Sequence, residues 1–207
     1  MDLKEARKRI GKRLIGHTDG NAMASMHNLG MRYMANRGVS IPELKQIAAE
    51  FERNHELATW LWDRGDFRDM RILAFMLEEP DKVTEAQAYA WARELTTMEL
   101  AVQAAVNLFA NLSFIHQSLP KWLYDEDPMV RGTAFVTLAR LAQVRNDLPD
   151  TYFISLLQQM NGDTETEDIF LKKSISRFLR ALVNRNAHLR TVVEDMLKPM
   201  HHAPHDT

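Results

Sequence analysis

The sequence predicts an all-α protein built from stacked antiparallel helix pairs. Apolar residues recur with helical periodicity through nearly all of the 207 residues. The connections between these segments are only about 2–8 residues long, and such short connections favour antiparallel neighbours. Alternating apolar and polar runs are absent, and no Asn-Gly or Asp-Gly turn joins two β-branched segments, so no strand is predicted.

Capping signals indicate where several helices begin. Residues 40–43 (Ser-Ile-Pro-Glu) form a capping box with proline in the first helical turn. Thr84 with Gln87, and Thr96 with Glu99, repeat the capping-box spacing. Gly38 is predicted to cap the helix that precedes it. The predicted helices cover residues 2–14, 22–36, 40–53, 55–63, 67–78, 84–95, 97–111, 119–125, 128–143, 150–160, 166–184 and 187–198.

Composition excludes several classes of function. The chain has no cysteine, which excludes disulfides, thiolate metal sites and cysteine nucleophiles. No apolar run approaches the ~18 residues of a membrane span, and the charged N-terminus is unlike a signal peptide, so a cytoplasmic location is expected. No Gly-rich phosphate loop, dinucleotide fingerprint or Ser/His/Asp set is present, so no cofactor is expected.

No metal site is expected either. His55-Glu56 lacks the second histidine of a zincin helix, because position 59 is threonine. The remaining histidine cluster falls within residues 199–207, which are predicted to form a flexible tail. Residues 1–198 are predicted to form a single domain.

The formal net charge of −2 conceals an uneven distribution. Residues 1–13 are strongly basic, and residues 169–193 contain six cations and no acid, whereas the region between them carries an excess of acids. Such polarity can present a basic surface to an anionic partner while the whole chain stays near neutral. Solvated helix faces are the alternative explanation.

Two parts of the chain resemble each other at a displacement of 60 residues. Trp62 lies nine residues before Arg71, and Trp122 lies nine residues before Arg131; an alanine follows three residues after each arginine. The stretch 122–134 matches the pattern of a HEAT repeat, in which Asp-Pro starts the second helix of a pair. Second helices are therefore predicted near residues 71, 103, 131 and 172, stacked because one pair cannot bury its apolar face alone.

An ordered set of stretches over about residues 28–185 resembles the AlkD-like family of DNA alkylation repair proteins. The first stretches are Tyr-Met-Ala-Asn at 33–36 and Gly-Val-Ser-Ile-Pro-Glu-Leu at 38–44. Leu61-Trp62 with Arg71, Trp91 leading into Glu99, Asn-Leu-Phe at 107–109, and Trp122 leading into Arg131 follow in the family order. The resemblance implies a curved HEAT-like solenoid whose concave, basic groove cradles duplex DNA. It also implies alkylpurine DNA glycosylase activity in some members.

The chain departs from the family where the chemistry takes place. The family has a Trp-Asp-x-x-Asp stretch that supplies a tryptophan and the catalytic aspartate; Met98 and Val102 occupy those two positions here. Glu99 lies about 300° around a helix from position 102 and cannot simply substitute. Base excision is therefore not expected. If the chain were nevertheless a glycosylase, another carboxylate would have to act, and the weak candidates are Glu99, Glu94 and Asp69.

A basic stripe on helix 166–184 is the main candidate surface. Lys173, Arg177 and Arg180 fall within about 60° of one another, opposite an apolar stripe. The resemblance aligns Arg177 with a second family tryptophan, and Arg131 with an arginine that meets DNA phosphate. The N-terminal helix is a second basic candidate. The predicted DNA-binding residues are Arg131, Lys172, Lys173, Arg177, Arg180, Lys8 and Lys12.

The rival hypothesis is a non-catalytic HEAT-repeat scaffold whose concave face binds a protein. The acidic middle of the chain favours this alternative, as does the lack of aromatic residues that can be assigned to DNA. Trp62, Trp91 and Trp122 are predicted to pack in the core. The methionines around residues 23–34 are predicted to fill gaps between helices.

Overall fold

A computed structural model describes residues 2–160 and 166–198, and it is all-helical within them. The predicted tail, 199–207, lies outside the described residues. Two short 3-10 turns lie at Pro80–Lys82 and Phe109–Asn111. The helices are α1 (Leu3–Gly16), α2 (Gly20–Asn28), α3 (Ile41–Ala48), α4 (His55–Trp62), α5 (Arg68–Leu77), α6 (Glu85–Arg93), α7 (Met98–Asn107), α8 (Ile115–Trp122), α9 (Pro128–Val144), α10 (Asp150–Gln159), α11 (Ile169–Arg185) and α12 (Ala187–Leu197).

The helices that lie at the predicted second-helix positions, together with α3, stack side by side into one layer. Helix α3 packs on α5, α5 on α7, α7 on α9, and α9 on α11. Helices α4, α8 and α12 pack against members of this row. The predicted second helices near residues 71, 103, 131 and 172 correspond to α5, α7, α9 and α11. Below, α3, α5, α7, α9 and α11 are called the second-helix layer.

Aromatic side chains join successive repeats in the core. The rings of Trp62 and Trp91 stack with their centroids 4.4 Å apart, and Phe75 packs obliquely against both. Phe109 continues the series to Trp122 at 5.6 Å. The three tryptophans are only 4–5% exposed, so their prediction as core residues is confirmed. Because aromatic pairs add to the free energy gained by burying their area, this series stabilises the stacking of consecutive repeats.

The predicted helix over 22–36 ends early, at Asn28. Gly30 has φ 80°, which an L-residue adopts only with strain, and the chain then runs extended. The amide of Ala35 donates to the carbonyl of Asp66 at 3.1 Å, and the carbonyl of Ala35 accepts from the amide of Arg68 at 3.0 Å. Gly38 therefore caps no helix. It turns the chain into α3 at φ 70°, where a Cβ would lie 2.3 Å from the carbonyl oxygen of Asp19.

The predictions of helix N-caps hold at two of three sites. Ser40 and Glu43 form the reciprocal capping box, and the Thr84 hydroxyl accepts from the amide of Gln87. At α7 the prediction is one residue early, because Thr97 accepts from the amide of Leu100. The side chain of Glu99 is consequently not used in a cap, which matters for the site described below.

Helix α8 begins four residues before its predicted start and contains Pro120 in its interior. A proline has no amide hydrogen, so the carbonyl of His116 loses its helical donor. The hydroxyl of Tyr152 on α10 donates to that carbonyl at 2.8 Å. A neighbouring helix thus satisfies the acceptor that would otherwise oppose proline at this position.

Candidate nucleic-acid interface

Helix α11 is positioned by its apolar face. Asp168 caps its N-terminus by accepting from the amide of Leu171 at 2.7 Å. Phe178 is fully buried and lies 6.0 Å from the ring of Phe135 on α9. Gly132 on α9 allows α11 to approach closely, since a Cβ there would lie 2.0 Å from the ring of Phe170. The predicted apolar stripe therefore fixes α11 on α9, and the opposite stripe faces outward.

The outward stripe lines a depression of about 680 Å³ in the second-helix layer. Met98 of α7 and Gln143 of α9 also line this depression, and none of its lining residues among 2–160 and 166–198 is a carboxylate. Its four cations are exposed, and Arg180 also donates to the hydroxyl of Ser176 at 2.9 Å. Below, this site is called the α11 depression. Its cations are Lys172, Lys173, Arg177 and Arg180.

The other predicted DNA-binding residues lie elsewhere. Lys8 and Lys12 line a separate depression of about 720 Å³ on α1. Two arginines of that depression, Arg9 and Arg13, are bound to Glu50 at 2.7 and 2.8 Å. Arg131 is half-buried near the N-terminus of α9 and does not line the α11 depression. The predicted set thus divides among three places, and its role in DNA binding stays a prediction.

Glu99 is held by a buried arginine. The guanidinium of Arg68, which is 1% exposed, donates to both carboxylate oxygens of Glu99, at 2.6 and 2.7 Å. The hydroxyl of Tyr33 donates to the same carboxylate at 2.6 Å. Burial opposes ionisation, but these hydrogen bonds hold the pKa of Glu99 below its usual value. Burial and the bond to Glu99 raise the pKa of Tyr33 well above its usual range.

The other two carboxylates that the sequence offered are also engaged. Asp69 is fully buried and accepts from the amides of Arg37 and Val39 at 2.7 and 3.2 Å, and burial raises its pKa. The Glu94 carboxylate is half-exposed and lies 3.3 Å from Nη2 of Arg71, whose Nη1 donates to the Glu94 carbonyl. None of the three carboxylates lines the α11 depression.

The Arg68–Asp69 pair is the feature that the sequence did not predict. Arg68 and Asp69 are the first two residues of α5, and the eight residues after them are mostly apolar. In the sequence, the two charges therefore look like an ordinary polar first turn. Their partners lie about 30 residues away in both directions, at Val39 and Glu99. Only the stacking of α3, α5 and α7 brings these groups together.

Other types of site and segment are absent from the described residues. In the ranges 2–160 and 166–198, no three histidine or acidic side chains are grouped as metal ligands would be. Over the same ranges, no helix combines the length and the apolar character that crossing a bilayer requires.

The stack of helices defines a helical-repeat protein, and the depression on α11 gathers cations without a carboxylate among the described residues that line it. The chain belongs to the DNA alkylation repair enzyme family, whose model matches residues 10–193. The resemblance stated from the sequence is therefore confirmed.

A solved structure shows the same fold over almost the whole chain. It is described as "A new family of proteins related to the HEAT-like repeat DNA glycosylases with affinity for branched DNA structures". The TM-score is 0.83 at 17% sequence identity, covering 95% of this chain and 82% of that one. The prediction of a HEAT-like stack is thereby confirmed. No curated protein matches the sequence significantly.

Proposed function

We propose that this protein binds DNA through the phosphate backbone, using the α11 depression, and does not excise bases. The observation that carries the proposal is that four exposed cations, and no carboxylate, are found among the described residues that line one depression. Phosphate contacts fix a protein on DNA without reading its sequence, so such a surface predicts binding with little sequence preference.

The cation count sets the expected strength of the salt dependence. Each neutralised phosphate adds about −0.9 to the slope of log K against log salt. If the four cations of the α11 depression each contact one phosphate, the slope is about −3.6. Raising the salt from about 50 to about 200 mM then weakens binding about 100-fold.

The environment of the acidic residues argues against base excision. Cleaving a glycosidic bond builds positive charge on the sugar, which a carboxylate in the site can stabilise. Val102 stands where the family resemblance places the catalytic aspartate, and Glu99 is already neutralised by Arg68. Met98, at the position of a family tryptophan, lines the α11 depression with an apolar side chain that carries no charge. This arrangement supports binding of DNA without base excision.

The form of the DNA is part of the proposal. The structural neighbour is described as having affinity for branched DNA structures, and we extend that affinity to this chain. A branched molecule directs phosphates away from a single duplex axis. A second arm, which the α11 depression does not hold, would then contact the other predicted cations. These are Lys8 and Lys12 in the depression on α1, and Arg131 on α9.

The test is a titration of labelled duplex and branched DNA at several salt concentrations. We expect wild-type affinity to fall steeply with salt, and Arg177→Glu to weaken binding about 10-fold or more at low salt. Lys121→Glu, a reversal at an exposed lysine outside all three places, is the control. Absence of binding at about 50 mM salt would refute the proposal and favour the protein-binding scaffold.

Excision is tested separately by incubating the protein with alkylated DNA. We expect no release of free base. Release that Glu99→Gln abolishes would overturn the assignment of Glu99 to structure alone and establish a glycosylase.

A further inference from the structure

The segment between α1 and α3 leaves two large apolar side chains exposed, and no residue of helix α2 is fully buried. The prediction that methionines in this segment fill gaps between helices is wrong for Met34, whereas Met23, Met26 and Met31 are half-buried. Met34 is 84% exposed and Leu29 is 74% exposed. We call this surface the methionine ledge, and it consists of Met23, Met26, Leu29, Met31 and Met34. Exposed and half-buried apolar side chains that lie together on a surface can mark a binding site.

The ledge is held in place at both ends. The amide of Asp19 donates to the carbonyl of Arg37 at 2.8 Å, which closes the segment on itself. Ala35 pairs with the chain around Phe67. Tyr33, in the middle of the ledge, donates to Glu99 on α7. The apolar side chains are therefore presented from a fixed backbone, and their exposure follows from the fold.

The N-terminus of α7 connects the ledge with the proposed DNA-binding surface. Met23, Met31 and Met34 line a depression of about 750 Å³ together with Phe67. Tyr33 lines the same depression, and its hydroxyl lies 3.1 Å from the hydroxyl of Thr97, the N-cap of α7. Met98, the next residue, lines the α11 depression. The N-terminus of α7 thus contacts one depression through Thr97 and lines the other through Met98.

The charge around the ledge suits a polyanion. Residues 20–42 contain no acid, and His27, Arg32 and Arg37 flank the methionines. The guanidinium of Arg37 lies 5.8 Å from the centre of the Phe67 ring. The carboxylate of Asp66 accepts from the Met34 amide at 3.3 Å and also lies 3.8 Å from Arg71, which offsets its charge.

Apolar side chains beside cations match the chemistry of unpaired bases. An intact duplex covers its base faces by stacking, whereas the branch point of a forked or junction DNA leaves bases unstacked next to phosphates. Apolar and aromatic side chains take up such faces, and methionine is among the residues that proteins insert between bases. We propose that the methionine ledge receives unpaired bases at a DNA branch point while one duplex arm lies in the α11 depression. This inference rests on the proposed function and adds the structural element that distinguishes branched from duplex DNA.

The experiment compares a three-way junction with a duplex of equal length and uses 2-aminopurine at the branch nucleotides. The test variant is Leu29→Gln with Met34→Gln. Its matched control is Ile15→Gln, at a 61% exposed position on α1. We expect wild type to prefer the junction about 10-fold and to change the 2-aminopurine fluorescence. The test variant should lose both effects and keep wild-type duplex affinity, whereas Met34→Leu and Ile15→Gln should retain both.

Two outcomes overturn the inference. One is a test variant that binds the junction as tightly as wild type, which would leave the ledge free for a protein partner. The other is a wild-type protein that binds duplex and junction equally. In either case salt-dependent duplex binding would leave the proposed function standing, whereas loss of all DNA binding would refute both. Since the substituted side chains are exposed, thermal melts that match wild type confirm that each variant is folded.

Discussion

Two charged clusters in the second-helix layer face opposite environments. Arg68 on α5 is 1% exposed and meets the carboxylates of Asp69 and Glu99 at 2.9 and 2.6 Å. Arg177 on α11 is exposed, and the described residues that share its depression include three other cations and no acid. The difference shows that the position of a cation in the layer does not set its role. The groups that pack opposite the cation set its role, since they decide whether its charge is neutralised within the fold or is available to a ligand.

The cost of burial explains why the two clusters cannot exchange roles. An arginine removed from water must be compensated by carboxylates and hydrogen bonds within the protein, so Arg68 has no remaining capacity for phosphate. The cations of the α11 depression keep their hydration. Under the proposed function they would release counterions from DNA, because their charge is not neutralised by a carboxylate among the described residues that line the depression.

The largest expected effect comes from removing the buried cation. Arg68→Met leaves Asp69 and Glu99 without their partner, so we expect the free energy of unfolding to fall by about 3–5 kcal/mol in urea denaturation. Lys173→Met makes the same type of change at an exposed site and should shift it by no more than about 0.5 kcal/mol. Equal losses in the two variants would contradict the contrast between the clusters.

The second effect concerns DNA affinity. Lys173→Gln with Arg177→Gln removes two phosphate partners, so the slope of log K against log salt should become shallower by about 1.8. Affinity at low salt should fall about 100-fold, or about 2.7 kcal/mol. The control, Lys82→Gln with Lys121→Gln, removes two exposed lysines outside the depression and should leave the slope unchanged. Identical slopes in the two double variants would place the DNA elsewhere.

A third and smaller effect tests how α11 is held against α9. Gly132→Ala would bring a methyl group 2.0 Å from the ring of Phe170, so the ring must move and the free energy of unfolding should fall by about 1–3 kcal/mol. Gly11→Ala, in α1, meets no atom within 4 Å and should raise it by up to about 1 kcal/mol. If Gly132→Ala proved as harmless as Gly11→Ala, the close approach of α9 and α11 would be wrong.

The smallest effect is a pH dependence. The pKa of Glu99 is depressed in the folded protein, so its stabilising contribution is present above the ordinary value of 4.5 and is lost as the pH falls through the lower folded value. Between about pH 7 and about pH 3, Glu99→Gln should therefore lose less unfolding free energy than wild type. Parallel urea titrations at the two pH values measure this, and a steeper loss in the variant would reverse the sign.

Much of the fold could be predicted because its signals are local. Helical periodicity and capping residues such as Ser40 act within one or two turns, so the helix order and most boundaries follow from the chain. The predictions fail where distant groups intervene. Helix α2 stops at Asn28 because the chain after Gly30 pairs with residues near Phe67, and α8 includes Pro120 because Tyr152 satisfies the freed carbonyl.

The candidate site divides in the same way. The stripe of Lys173, Arg177 and Arg180 was predictable, since residues three and four apart share a helix face wherever that helix lies. The engagement of Glu99 and Asp69 was not, since it depends on Arg68 and on backbone amides about 30 residues distant. The exposure of Leu29 and Met34 in the methionine ledge could not be predicted either. An apolar residue indicates burial, and only the fold shows that no neighbouring element covers it.

The sequence by itself determined the all-α class, the repeat of helix pairs, the family and the basic face of α11. These properties follow from short-range periodicity and from side-chain identity. Only the tertiary structure decided which charges are neutralised, which carboxylates are hydrogen-bonded within the fold and which apolar side chains stay exposed. The physical reason is that desolvation and ion pairing depend on what packs opposite a residue, and the chain sets that partner only when the helices stack.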